Sequence, residues 1–198
     1  ETLGQLDRII KEEKRELGWS RFAIEQRKTL ERLTARRPDL ESLVRDQEAV
    51  LAGTRAAAGK ADKVKEARAA VRERETKVRK PAAALAADPL FADQQPPHLR
   101  LADTPLGDAL TRLGSDAKTG ADAATAVAPE GQALDLFRKE LARLDDQSAQ
   151  AKKTLAEAEF RRREGDQARN RVATDTLGVV SARLGDAGVA LRKDLIQA

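Results

Sequence analysis

The sequence predicts an all-α protein of elongated antiparallel helical hairpins, a coiled-coil-like four-helix bundle with a long Pro/Gly-rich connector. Three observations support this class. Charged residues make up 35% of the 198 residues and aromatic residues only 3%, which favours long helices that meet along narrow seams. Apolar residues recur every three, four or seven positions over long stretches. Proline and glycine are concentrated between residues 88 and 131.

The first predicted helix covers residues 2–36. Its apolar residues keep broadly to one side, because they recur mostly at spacings of three, four and seven: Leu3, Leu6, Ile10, Leu17, Ile24, Leu30 and Leu33. Gly18 weakens the middle of this helix by about 1 kcal/mol. Trp19 and Phe22 follow at an i, i+3 spacing. We interpret this pair either as core residues or as a candidate interface, since aromatic residues commonly anchor protein contacts.

A second helix is predicted over residues 38–85. Pro38 predicts a break before it, because proline disfavours helical geometry in the preceding residue and suits a helix N-terminus. The small, glycine-containing stretch 52–62 predicts a bend or a short loop. A seam is then indicated by apolar residues at steps of seven, namely Val64, Val71, Val78 and Leu85. Residues 1–87 are therefore predicted to form an N-terminal helical hairpin.

Residues 88–131 are predicted to form the connector, with a short helix at 105–113. Five of the seven prolines and four glycines lie in this stretch. Connectors of this length are commonly functional, so Phe91, Leu99 and Leu101 are candidate interface residues. His98 is expected to be an exposed loop residue.

Residues 132–198 are predicted to pack on the N-terminal hairpin and complete one domain. They read as two helices, 131–175 and 176–196, whose a and d positions follow two frames one residue out of register. This shift predicts a stutter or a break near Gly165. The first frame comprises Leu134, Phe137, Leu141, Leu144, Ser148, Ala151, Leu155 and Ala158, and the second comprises Leu177, Val180, Leu184, Ala187, Leu191 and Asp194.

Arginine clusters raise the question of an anionic partner. The formal net charge is +4, a mild bias for a nucleic-acid binder. In EAEFRRREGDQARNRV (residues 157–172) consecutive arginines point in directions about 100° apart on a helix, and glutamates four positions earlier can pair with them. A solvated, salt-bridged face is therefore the favoured interpretation, and phosphate binding is the alternative. The candidate anion contacts are Arg68, Arg72, Arg79, Arg161, Arg162, Arg163, Arg169 and Arg171.

The sequence offers no catalytic constellation, and we predict no catalytic, metal-binding or cofactor-binding residues. Cysteine is absent and His98 is the single histidine, so a zinc site would need carboxylate ligands alone around it. No phosphate-binding glycine loop is found. The apolar runs are far shorter than the ~20 residues of a membrane-spanning helix, so we expect a soluble protein, either cytoplasmic or exported. Because methionine is also absent, we expect a fragment or a processed form.

The segment LARLDDQSAQAKKTLAEAEFRRR (residues 141–163) resembles the helical hairpins of bacterial periplasmic adaptor proteins in efflux and type I secretion. The resemblance covers little over a tenth of the chain. Those adaptors also carry β-rich lipoyl-like halves around the hairpin, and no stretch of this sequence reads as such strands. The chain is therefore not assigned to that family.

These observations favour a non-enzymatic helical protein–protein interaction module of a larger bacterial assembly, acting as a scaffold, adaptor or delivery domain. Alanine and serine at a and d positions allow close helix approach but bury little area, so we expect self-association or a protein partner to cover the seams. The alternative is a nucleic-acid-associated basic helical protein that binds phosphates through arginine-rich helix faces. Steeply salt-dependent binding would distinguish that alternative.

Overall fold

The structure is a computed structural model that describes residues 2–58, 75–114 and 120–197. None of these residues lies in a β-strand, which confirms the all-α class. Six α-helices and a short π-helical segment are formed within the described ranges: α1 (Thr2–Ala57), the π-helical segment (Glu75–Arg79), α2 (Lys80–Ala87), α3 (Pro89–Ala92), α4 (His98–Leu101), α5 (Asp103–Arg112) and α6 (Gly120–Gln197).

The predicted break at Pro38 is wrong, because α1 continues through Pro38 as one helix of 56 residues. Proline inside a helix costs about 3 kcal/mol through its missing N–H and its ring. Packing around this point outweighs that cost, since Leu33, Leu40 and Leu43 are buried and each contributes roughly 1.5–3 kcal/mol. Pro38 itself is exposed, so its ring displaces no packed neighbour.

The rest of the second predicted helix is only partly described. α1 ends at Ala57, and residues 59–74, with Val64 and Val71 of the predicted seam, lie outside the described residues. Val78 and Leu85 are buried, as the seam predicts.

The described part of the predicted connector is mostly helical. α3, α4 and α5 lie within it, and α5 corresponds to the predicted short helix. Asp88 begins α3 as its N-cap, because its side chain accepts a hydrogen bond of 2.9 Å from the backbone N–H of Leu90. Leu99 and Leu106 are buried. A side-chain cap thus holds α3, and apolar packing holds α4 and α5, which sequence composition did not indicate.

The predicted break near Gly165, and with it the separate helix at 176–196, is also wrong. α6 is one helix of 78 residues. Gly165 lies within it, where a Cβ atom would overlap the carboxyl group of Glu16. Glycine at this position therefore permits a close side-chain approach and does not end the helix.

The chain divides into two compact units. The first comprises Glu1–Arg27 and Lys152–Ala198, and we call it the helix pair; the second comprises Lys28–Ala151, and we call it the bundle. α1 and α6 each contribute to both units. The division into 1–87, 88–131 and 132–198 stays a prediction.

The bundle has an apolar core in which α1, α2 and α6 take part together with the short helices. Phe137 is its largest fully buried side chain. Ion pairs border the core, with Arg37 at 2.8 Å from Asp145 and Arg138 at 2.7 Å from Glu48. The residues of the first heptad frame that lie in the bundle are all buried or partly buried: Leu134, Phe137, Leu141, Leu144, Ser148 and Ala151.

Candidate interaction surface on the helix pair

The helix pair is antiparallel, and two ion pairs fix its register. Arg27 donates to Glu159 at 2.8 Å, and Arg169 lies 2.6 Å from Glu16. The later residue of α6, Arg169, lies beside the earlier residue of α1, Glu16, so the two helices run in opposite directions. The seam between the helices follows Glu16 and Ala23 on α1.

The described side chains of the helix pair bury very little apolar surface. Among its described side chains only Ala23 and Ala158 are buried, with 7% and 0% exposed. Each alanine methyl group contributes about 1 kcal/mol when buried. Two such groups make a weak core for two long helices.

Large apolar side chains of the helix pair are instead exposed. In the described part of the bundle, by contrast, Leu101 is the only large apolar side chain that is exposed. Contiguous apolar surface beyond a few hundred Å² commonly marks an interaction site. The exposed residues of the helix pair are Ile10, Leu17, Phe22, Ile24, Phe160, Val172, Leu177, Val179, Val180 and Leu184.

Three of these residues form a row on α1. Ile10, Leu17 and Ile24 repeat every seven positions and are 44%, 57% and 53% exposed. Leu17 and Ile24 each follow a seam residue, Glu16 and Ala23, by one position. They are therefore rotated about 100° away from the seam. We call Ile10, Leu17 and Ile24 the α1 row. The sequence placed them on the packed stripe of the first helix, and the structure places them outside it.

Three more form a row on α6. Leu177, Val180 and Leu184 belong to the second heptad frame and are 69%, 47% and 68% exposed. This frame is shifted by one residue from the frame that includes Ala158. The shift turns these side chains about 100° away from the side on which α6 meets α1. We call Leu177, Val180 and Leu184 the α6 row.

Both rows lie along the same edge of the helix pair. The Arg27–Glu159 ion pair defines that edge. On α1, Ile24 lies one helical turn before Arg27. On α6, Val180 lies three heptads after Glu159. A straight helix drifts by about 20° per heptad, so the two lie within about 60° of each other round the helix. The two rows thus form one apolar face. Sequence reasoning missed this face because regular spacing does not reveal which stripe another helix covers.

Trp19 and Phe22, the aromatic pair predicted as core or interface, also lie in the helix pair. Their rings meet edge to face, with centroids 6.1 Å apart and planes at 76°. Trp19 is partly buried, and Phe22 is 40% exposed. The pair therefore presents part of its aromatic surface to solvent.

The other candidate interface residues lie in the bundle and do not come together on its surface. Phe91 and Leu99 are buried in its core, 5% and 4% exposed. They are therefore part of the packing of the short helices, and their burial leaves them out of a surface contact. Leu101 is 48% exposed.

The candidate anion-binding arginines are not gathered into one site. Arg68 and Arg72 lie outside the described residues. In the bundle, Arg79 donates to Asp103 at 2.7 Å, and this hydrogen bond holds the pKa of Asp103 below its usual value. Arg79 thus already has an acidic partner within the chain.

The α6 arginines are interleaved with carboxylates. Arg161 lies 3.2 Å from Glu164. Arg169 contacts both Asp166 and Glu16, and the hydrogen bond to Asp166 and the charge of Glu16 raise its pKa. Arg162, Arg163 and Arg171 are exposed and point to different sides of the helix. The pairs differ from the i, i+4 pairs expected from sequence, because Arg161 pairs with Glu164 and Glu159 pairs with Arg27 of α1.

A buried polar cluster lies in the bundle. Glu140 is 1% exposed and accepts hydrogen bonds from Arg143, whose other terminal nitrogen donates to the carbonyl of Pro96 at 2.7 Å. His98 is partly buried beside them, so it is not the exposed loop residue expected from sequence. Its Nδ1 atom is buried without a hydrogen-bond partner among the described residues. Burial lowers the pKa of His98, and the charge of Arg143 lowers it further.

A surface groove of the bundle is lined by acidic side chains, two of which are paired with an arginine. A groove of about 410 Å³ between α1 and α2 is lined by three aspartates, Asp39, Asp46 and Asp88. Arg36 pairs with two of them, Asp39 at 3.3 Å and Asp88 at 2.7 Å. Within residues 2–58, 75–114 and 120–197, no cluster of histidine and carboxylate side chains is arranged to hold a metal ion.

Comparisons with protein-family models, with curated proteins and with solved structures find no match to this chain. In the described part of the chain, no helix combines the length and the apolar character needed to cross a membrane. Most of the exposed large apolar side chains among the described residues lie in the helix pair.

Proposed function

We propose that the chain is a non-enzymatic helical protein–protein interaction module, and that the helix pair binds a helical protein surface through the α1 row and the α6 row. The observation that carries the proposal is the contrast within the helix pair. Among its described side chains, two alanines are buried and six leucine, isoleucine and valine side chains are exposed along one edge.

A helical partner fits these rows better than an extended peptide. Residues spaced by seven on a helix make knobs that fit the holes of a facing helix. Extended peptides bind by hydrogen bonds to a sheet edge, and none of the described residues forms a strand. Such a contact would suit a scaffold or adaptor in a larger assembly.

The nucleic-acid alternative has less support. Arg79, Arg161 and Arg169 each have an acidic partner within the chain. A phosphate would have to displace those carboxylates before it could be bound.

Site-specific photocrosslinking tests the proposal. A benzophenone amino acid replaces Leu177 in the cells that produce the protein, and the same replacement at Leu101 is the control, since Leu101 is exposed but lies in the bundle. We expect covalent adducts with a polypeptide from position 177, whether a second copy or another protein. Adducts no more abundant than from position 101, or adducts with nucleic acid, would contradict the proposal.

A further inference from the structure

We propose that the partner of the apolar face is a second copy of this chain, an inference that rests on the proposed function. Two helix pairs related by a two-fold axis would lay the α1 row of each copy against the α6 row of the other. Such a contact is self-complementary and closes in a dimer.

The positions of the rows along the helix pair fit this arrangement. The Glu16–Arg169 contact sets Ile10 level with about residue 175 of α6. The α6 row, which starts at Leu177, therefore begins where the α1 row ends, and the two rows follow one another along one edge. Within one chain they cannot cover each other. A second copy in the inverted direction brings its α6 row over the α1 row, and the exchange is reciprocal.

The area available matches what a specific dimer needs. The six side chains of one copy are 44–69% exposed and offer roughly 300–400 Å² of apolar surface. Two copies would bury roughly 600–800 Å² through these side chains, and the neighbouring Ala173, Thr174 and Ser181 bring the contact to the order of the 1,000 Å² of a specific interface. The α6 row is bordered by the uncharged residues Ala173, Thr174 and Ser181, whereas the α1 row is bordered by the cations Lys14 and Arg21. Laying the α1 row of one copy on the α6 row of the other keeps the cationic borders of the two copies apart.

Sedimentation equilibrium of the full chain tests the proposal. The wild type is expected to show twice the chain mass of 21.6 kDa. Leu177→Glu and Leu184→Glu are each expected to weaken the dimer about a hundredfold, because each places a charge in an apolar contact. Leu101→Glu, the matched control in the bundle, should leave the dimer unchanged. Circular dichroism of each variant verifies that the helices persist.

A chemical cross-link tests the pairing of the rows. The chain contains no cysteine, so each variant carries a single reactive thiol at the substituted position. Leu17→Cys mixed with Leu184→Cys should give a heterodimer with a short bis-maleimide reagent, whereas Leu101→Cys mixed with Leu184→Cys should not. Equal yields in the two mixtures would overturn the proposed pairing.

A monomeric wild type at millimolar concentration, or a dimer that withstands both glutamate substitutions, would overturn self-association. If position 177 then still cross-links to a different protein in cells, the proposed interaction function stands with another partner. If it cross-links to no polypeptide, the proposed function fails together with this inference.

Discussion

Arg143 joins the buried carboxylate of Glu140 to the backbone before α4. One terminal nitrogen donates to Glu140 and the other to the carbonyl of Pro96 at 2.7 Å. Removing one partner of a buried ion pair leaves an uncompensated charge, which costs about 3–5 kcal/mol. Arg138 offers a comparison, because its ion pair with Glu48 lies at the surface, with side chains 54% and 45% exposed.

We predict that Arg143→Ala lowers the free energy of unfolding by about 3–5 kcal/mol, and that Arg138→Ala lowers it by less than about 1 kcal/mol. Urea unfolding followed by circular dichroism measures both. Equal losses in the two variants would show that Glu140 is not a buried charge dependent on Arg143.

His98 gives the bundle a pH dependence of defined sign. Its pKa is lowered from the ordinary value of 6.5, first by burial and then by the charge of Arg143, while Glu140 acts in the opposite direction and Lys139 adds to the lowering. The unfolded chain therefore binds a proton near pH 6.5 that the folded chain binds only at lower pH. His98 leaves stability unchanged well above pH 6.5, and stability falls as the pH drops below that value.

We predict that His98→Gln flattens the pH dependence of the free energy of unfolding between about pH 7 and pH 5. The difference in slope cannot exceed about 1.4 kcal/mol per pH unit, the limit for one proton. Asp103 titrates in a separate window, because its pKa is lowered from 3.8 and the stability from its pair with Arg79 is lost only below that pH. Parallel curves for the wild type and His98→Gln would contradict the assignment to His98.

At the scale of elements, sequence periodicity predicted the helical class and the buried residues of the first heptad frame. The second frame is equally regular, yet Leu177 and Leu184 are exposed. Periodicity reports that one side of a helix is apolar, and it carries no information on which element covers that side. The predicted helix break at Pro38 was wrong for a related reason. Helix propensity does not include the stabilisation from the buried side chains of Leu33 and Leu40 on either side of the proline.

Two glycines of α6 separate helix propensity from packing. A Cβ atom at Gly178 would meet nothing within 4 Å, whereas one at Gly165 would overlap the carboxyl group of Glu16. Gly178→Ala is predicted to stabilise the helix pair by up to about 1 kcal/mol. Gly165→Ala is predicted to lose that gain, because it displaces Glu16 from Arg169. Thermal unfolding of the two variants makes the comparison, and equal stabilisation would show that Glu16 does not pack against Gly165.

At the scale of the whole molecule, the two units differ in how they are stabilised. The bundle has a core of leucine, phenylalanine and alanine side chains centred on Phe137. In the helix pair, the buried side chains of the described part are two alanines. Helices in proteins gain most of their stability from packing of an apolar face against another element, so the helix pair is expected to depend on whatever covers the α1 row and the α6 row.

Hydrogen–deuterium exchange at several protein concentrations tests this dependence most directly, with the bundle as an internal reference. We predict that amide protection of residues 172–187 rises with protein concentration, while protection in the part of α6 that includes Phe137 stays constant. Protection of residues 172–187 that is as strong at nanomolar as at millimolar concentration would contradict the account, because the helix pair would then need no second copy.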